Sequence, residues 1–142
     1  MINIEELIES IEKRPLMYLD QKKIDYLYYY LVGYLSKGND CNDDVDNWFR
    51  HYFENWTLIW VKNNIDIDYK RHSFCWYQIY KDVTKNDDEA IELFFKLCKL
   101  FFKEYHNMAL LKNKLNISRK SIPIIQCLSR ISVQVISGQF LI

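Results

Sequence analysis

The sequence predicts a mainly α-helical fold, a compact bundle of about five helices with a C-terminal extension whose structure the residues leave open. Three observations carry this prediction. The 142 residues include only three Gly and two Pro, and a chain so poor in turn formers builds few, long elements. Apolar residues recur at i, i+3, i+4 and i+7, most persistently from Val45 to Ile59, which is the helical period. Aromatics make up 16% of the chain, and a single domain of this length buries roughly 70% of its unfolded surface.

Ile4, Leu7, Ile8 and Ile11 predict a first helix over residues 3–13. Pro15 ends it, because the residue before a proline is pushed out of the α region. Asp20 is the expected N-cap of a second helix over 21–36. Ile24, Leu27, Tyr28, Leu31 and Leu35 form its apolar face, and Tyr26, Tyr30 and Tyr34 form a second stripe. Gly33 interrupts that helix where a small residue lets another backbone come close. Gly38-Asn39-Asp40 then reads as a C-cap and loop.

Asp43, Asp44 or Asp46 is expected to cap a third helix that runs to about Lys62. Its apolar positions are Val45, Trp48, Phe49, Tyr52, Phe53, Trp56 and Ile59. Residues 64–69 alternate apolar and acidic and suggest a short extended segment. Ser73 is expected to cap a fourth helix over about 74–83, with Trp76, Ile79, Tyr80 and Val83 inward. Asn86 followed by Glu89 reads as a capping box for a fifth helix over about 87–106. Glu92, Lys96, Lys99 and Lys103 form its polar stripe, and so apolar a helix belongs at the centre of a bundle. This divides the chain into a helical core, 1–106, and an extension, 107–142, expected to pack on that core as part of one domain. Residues 107–116 can lengthen the fifth helix. Ile131, Val133 and Val135 make a β-prone stretch.

The formal net charge of zero hides a split. Of the 19 basic and 19 acidic residues, five basic and no acidic ones lie in 105–142, which leaves a net of −5 in 1–104. Five charges are thin for a nucleic-acid tail. The interleaved aromatics of a single-strand binder are missing, since Phe140 stands alone. The longest apolar run, Leu27–Leu35, is nine residues, against the roughly 20 a membrane span needs. The acidic, amphipathic N-terminus is not a signal peptide. No nucleic-acid, membrane or cofactor partner is therefore expected.

Cys41, Cys75, Cys98 and Cys127 form no C-x-x-C pair and read as reduced thiols of a cytosolic protein. His51, His72 and His106 stand at no ligand spacing to them, so no metal site is expected. His51 lies near Glu54 and Asn47 at helical spacing, a pairing capable of acid–base work. No nucleophile or oxyanion feature accompanies it, so the expectation is not an enzyme.

The loop from Asp40 to Asp46 clusters four carboxylates: Asp40, Asp43, Asp44 and Asp46. It lacks the central Gly and the final Glu of a calcium loop. These carboxylates read as helix caps and solvated charge, or as an acidic face that meets a basic protein. Glu54, Asp66 and Asp68 are further members of such a face. Tyr26 and Tyr30 are candidate aromatic anchors beside it.

Arg14-Pro15-Leu16-Met17-Tyr18 is similar to a string in the B subunit of DNA gyrase. There it sits in a Gly-rich ATPase domain, and this chain has no phosphate-cradling loop. A broader resemblance rests on three strings: Lys13-Arg14-Pro15-Leu16-Met17-Tyr18, Ser73-Phe74-Cys75-Trp76, and Asp87 to Leu97. Together they resemble the immunity proteins encoded beside bacterial polymorphic-toxin and contact-dependent growth inhibition genes. The resemblance covers residues 1–105, and the tail departs from it after Lys103-Glu104-Tyr105. It implies a cytoplasmic protein without catalytic residues or cofactor. Such a protein binds the C-terminal domain of one cognate toxin, such as a nuclease, and occludes it stoichiometrically. The alternative is a structural or regulatory helical module that self-associates, through its tail, into a homo-oligomer.

Overall fold

The computed structural model describes residues 2–37 and 44–115. Among them are five helices: α1 (Ile4–Lys13), α2 (Ile24–Leu35), α3 (Asp44–Asn64), α4 (Tyr77–Val83) and α5 (Asp87–Leu115), with a 3-10 turn at Pro15–Met17. The helical bundle expected from the apolar periods is the fold observed. α5 packs on each of the other four helices, so the most apolar helix is indeed the central one. No helix among the described residues is long and apolar enough to cross a membrane. The loop residues Gly38, Asp40, Cys41 and Asp43 lie outside the described residues, as do Cys127 and the β-prone stretch at 131–135.

The core is mainly aromatic. The Phe53 ring of α3 stands edge-on to Trp76, Phe94 and Phe101 at 5.7, 5.7 and 5.3 Å. Trp76 stacks on Phe94 at 5.0 Å. Each such side chain contributes about 1.5–3 kcal/mol by leaving water, and the ring geometry adds to that. Two polar pairs lie within the core. Trp56 donates its indole N–H to Glu104 Oε2 at 2.9 Å, and the buried Tyr80 hydroxyl meets Thr57 Oγ1 at 3.3 Å.

α1 begins with a reciprocal cap. Asn3 Oδ1 accepts from the Glu6 N–H at 2.9 Å, and the Glu6 carboxylate accepts from the Asn3 N–H at 3.1 Å. The N–H of Ile4, another orphan donor of the first turn, reaches Asp46 Oδ1 at 2.6 Å. Asp46 is 1% exposed, with the Lys37 ammonium 3.7 Å from its second oxygen. It pins the start of α3 to the start of α1.

Four boundaries differ from expectation, each for a local reason. α2 starts at Ile24, not residue 21, and Asp20 does not cap it. The Ile24 N–H instead donates to Asp87 Oδ1 at the head of α5, 3.3 Å away. Residues 64–69 are not extended. The amides of Ile65 and Asp66 both return to the Val61 carbonyl at 2.9 and 3.0 Å. The Asp66 side chain then accepts from the Asp68 N–H at 3.0 Å, an Asx turn. Ser73 Oγ accepts from the Cys75 N–H at 3.2 Å, and α4 begins only at Tyr77 without a side-chain cap. Asn86 does accept from the Glu89 N–H at 2.9 Å, but the helix it opens runs to Leu115. Its last turns, over 107–115, are the lengthening that the sequence allows.

Gly33 corrects a fifth expectation. It is exposed, and nothing lies within 4 Å of where a Cβ would stand. No backbone approaches there, so the glycine carries only its conformational cost. Gly33→Ala is expected to raise stability by about 0.5–1 kcal/mol, read as a higher urea midpoint at unchanged slope. An unchanged or lower midpoint contradicts the open environment described.

Candidate protein-interaction surface

The outward face of α2 is unusual for a surface helix. Such a face normally carries charge, yet residues 26–35 hold no charged side chain. Tyr26, Tyr29, Tyr30 and Val32 are exposed, Tyr29 by 60%. The inward side holds Ile24, Leu27 and Leu31, so the helix is apolar or aromatic nearly all round.

Both flanks continue the apolar character. On one side the ring of Tyr18 meets Tyr30 edge-on at 6.0 Å. Its neighbours Leu16 and Met17 are 71% and 69% exposed. On the other side Tyr28 packs on Trp76 and Tyr77 at 5.0 and 5.1 Å. Burial first, then a hydrogen bond with Cys75, pushes the Tyr28 phenol up to about 12. A hydrogen bond to Tyr29, then burial, raises that of Tyr77. These hydroxyls stay neutral at physiological pH. Between α2 and α3 lies a groove of about 310 Å³ lined by Val32, Leu35, Phe49, Phe53, Phe74 and Trp76.

Phe74 is 94% exposed, although the loop that carries it is fastened at two points. Arg71 donates to the carbonyls of Ser73 and Phe74 at 2.6 and 2.9 Å, and its guanidinium pairs with Glu54 of α3. Farther back, Asp82 of α4 gathers three partners. Its Oδ2 accepts from Tyr69 at 2.7 Å and lies 2.6 Å from His72 Nε2, and its Oδ1 accepts from Gln78 at 2.9 Å. A large apolar side chain is thus held out in water by a loop tied to two helices.

The acidic residues expected to form one face are dispersed. Asp40 and Asp43 lie outside the described residues. Asp46 is buried against α1, so its expected place on an outward face is corrected. Glu54 turns to Arg71, and burial outweighs that guanidinium to raise its carboxyl above the ordinary range. Asp44 stands exposed at the head of α3, whereas Asp66 and Asp68 lie exposed beyond its far end. A helix of 21 residues separates them by about 30 Å. Tyr26 and Tyr30 do lie on one surface, that of α2. Sequence reasoning missed Tyr29, Val32 and Phe74. The charge-free run 26–35 was visible in the sequence; the exposure of Phe74 was not. His51 is exposed on the wall of a different groove, between α3 and α5, while Glu54 is committed elsewhere.

No protein-family model, curated protein or solved structure matches this chain.

The Asp82 cluster yields a pH test. Burial pushes its carboxyl up, but the hydrogen bonds from Gln78, Tyr69 and His72 together hold it below its ordinary 3.8. A depressed carboxyl pKa stabilises the fold above that ordinary value, and the stabilisation is lost as pH falls through the folded-state value. Asp82→Asn is expected to cost about 1 kcal/mol at neutral pH, solvent access limiting the effect. The gap should close below pH 3.8 in denaturant titrations. A gap that persists at lower pH contradicts the charge-based account.

Proposed function

We propose that this protein is an immunity protein that works by stoichiometric binding. Its partner is the C-terminal domain of a cognate toxin, a nuclease being the fitting kind, and it neutralises that domain in the cytoplasm by covering its active or substrate-binding surface. The observation that carries this reading is the uncharged aromatic face of α2, continued by Leu16 and Met17 on one flank and Phe74 on the other. Contiguous exposed apolar surface marks interaction sites. Tyrosine supplies large contact area at low entropic cost. The tethered loop presents Phe74 already ordered, which reduces the cost of association. The resemblance of residues 1–105 to immunity proteins supplies the class of partner. The acidic balance of 1–104, with Asp44, Asp66 and Asp68 outside the aromatic patch, suits steering of a basic partner rather than anchoring it.

A second reading has the same face covered by another copy of this chain, as a self-associating module. The absence of charge across α2 favours it equally, and solution mass separates the two. On the immunity reading the free protein is monomeric at micromolar concentration and pairs one-to-one with its partner.

The test is co-expression with the toxin domain encoded immediately upstream. The chain is expected to restore growth that the domain arrests. Tyr29→Lys and Phe74→Lys should each weaken binding by about tenfold or more, the loss of a central interface side chain, and should erode protection while leaving the fold intact. Failure to rescue, together with a dimeric free protein, overturns the immunity reading in favour of self-association.

A further inference from the structure

Rings around the margin of the α2 face already carry cations. The Lys23 ammonium lies over the Tyr26 ring at 5.8 Å, and that of Lys37 over Tyr34 at 3.8 Å. Each lysine stands three residues from its tyrosine, the spacing of neighbours on a helix. On the flank, Lys81 lies over Tyr77 at 5.3 Å. Two of these ammoniums have a carboxylate as second partner, Lys37 with Asp46 at 3.7 Å and Lys81 with Asp25 at 3.9 Å. A tyrosine face with an acid beside it is how this molecule holds its own cations. Tyr29, in the middle of the face, is different. It is 60% exposed, and among the described residues no ammonium or guanidinium lies over its ring. The helix has none to supply, because the positions three and four away hold Asp25, Tyr26, Val32 and Gly33. The ring is nevertheless held in place. It meets Tyr28 edge-on at 5.1 Å, and its hydroxyl is hydrogen-bonded with Tyr77.

We propose that the open face of Tyr29 is the seat of a guanidinium supplied by the partner, an assignment that rests on α2 being the partner surface. A cation is drawn to a tyrosine face by the ring quadrupole. Guanidinium fits better than ammonium, because it is planar, stacks on rings and is more weakly hydrated. No charge within residues 26–35 repels it or competes for it. Asp25, four residues before Tyr29 and so on the same side of the helix, keeps an acid at the edge of the seat. The net −5 of residues 1–104 draws a basic partner in from a distance. The acids steer, and Tyr29 holds.

A ring-fluorination series in the full chain separates this seat from plain apolar burial and from plain charge attraction. Position 29 is changed by Tyr29→Phe, Tyr29→4-fluorophenylalanine, Tyr29→3,5-difluorophenylalanine and Tyr29→3,4,5-trifluorophenylalanine. Fluorine withdraws electron density from the ring face at nearly constant shape, and the hydroxyl is absent throughout. The probe is an octa-arginine peptide, with octa-citrulline as its uncharged counterpart. The dissociation constant for octa-arginine is expected to rise with each fluorine, by about two- to fivefold across the series, the share of a cation–π contact at an exposed site. Octa-citrulline should bind more weakly and show no trend. An octa-arginine affinity that is flat across the series, or that grows with fluorination, overturns the proposal. The toxin domain proposed as partner is then titrated against the same variants, and the same downward trend is expected. Tight binding without the trend overturns the guanidinium seat and leaves the immunity reading standing. A domain that does not bind, beside an octa-arginine affinity that follows the series, overturns the immunity reading and supports the seat.

Discussion

The structure depends on the aromatic junction where Phe53 of α3 meets Trp76 before α4 and Phe94 and Phe101 of α5. Three chain segments far apart in sequence are fixed there by rings within 6 Å of one another. α2 attaches to the same junction through Tyr28 on Trp76. Rings of this size bury much area and tolerate few alternative packings. The angle of α2 and the height of the Phe74 loop above the surface follow from that junction.

Burial explains why the outer face of α2 stands apart. The core already contains a large aromatic complement, including Tyr80 and Trp76. Tyr26, Tyr29 and Tyr30 are additional to it. Their exposure cannot be traced to a need for core volume, since Ile24, Leu27 and Leu31 fill the inward side. Contiguous exposed apolar surface is a mark of interaction sites, which is what supports proposing a partner for this face.

The helices themselves were legible in the sequence because their apolar periods are long, and α5 was recognisable as central because so little of it is polar. Their ends were less so. Asp20, a good capping residue, is displaced by Asp87 from another helix, a tertiary contact that no local rule contains. Asp46 looked like surface charge, but it is the partner of the Ile4 N–H 42 residues away. Asp66 converts an alternating string into a turn through one side-chain bond. Of the exposed aromatic face, the sequence showed Tyr26 and Tyr30 but joined them to carboxylates that a long helix keeps apart. The exposure of Phe74 depends on Arg71 reaching both Glu54 and two carbonyls, a set of contacts invisible to periodicity.

On the proposed function, the uncharged face of α2 and the Phe74 loop make the partner contact. Its most direct test is amide hydrogen exchange of this chain alone and in the presence of the toxin domain proposed as its partner. New protection is expected over residues 26–36 and 73–77, with 44–48 and 66–68 little changed. Protection confined to the head of α3 and the 66–68 turn, with α2 unaffected, would contradict it and return the interface to the acidic residues.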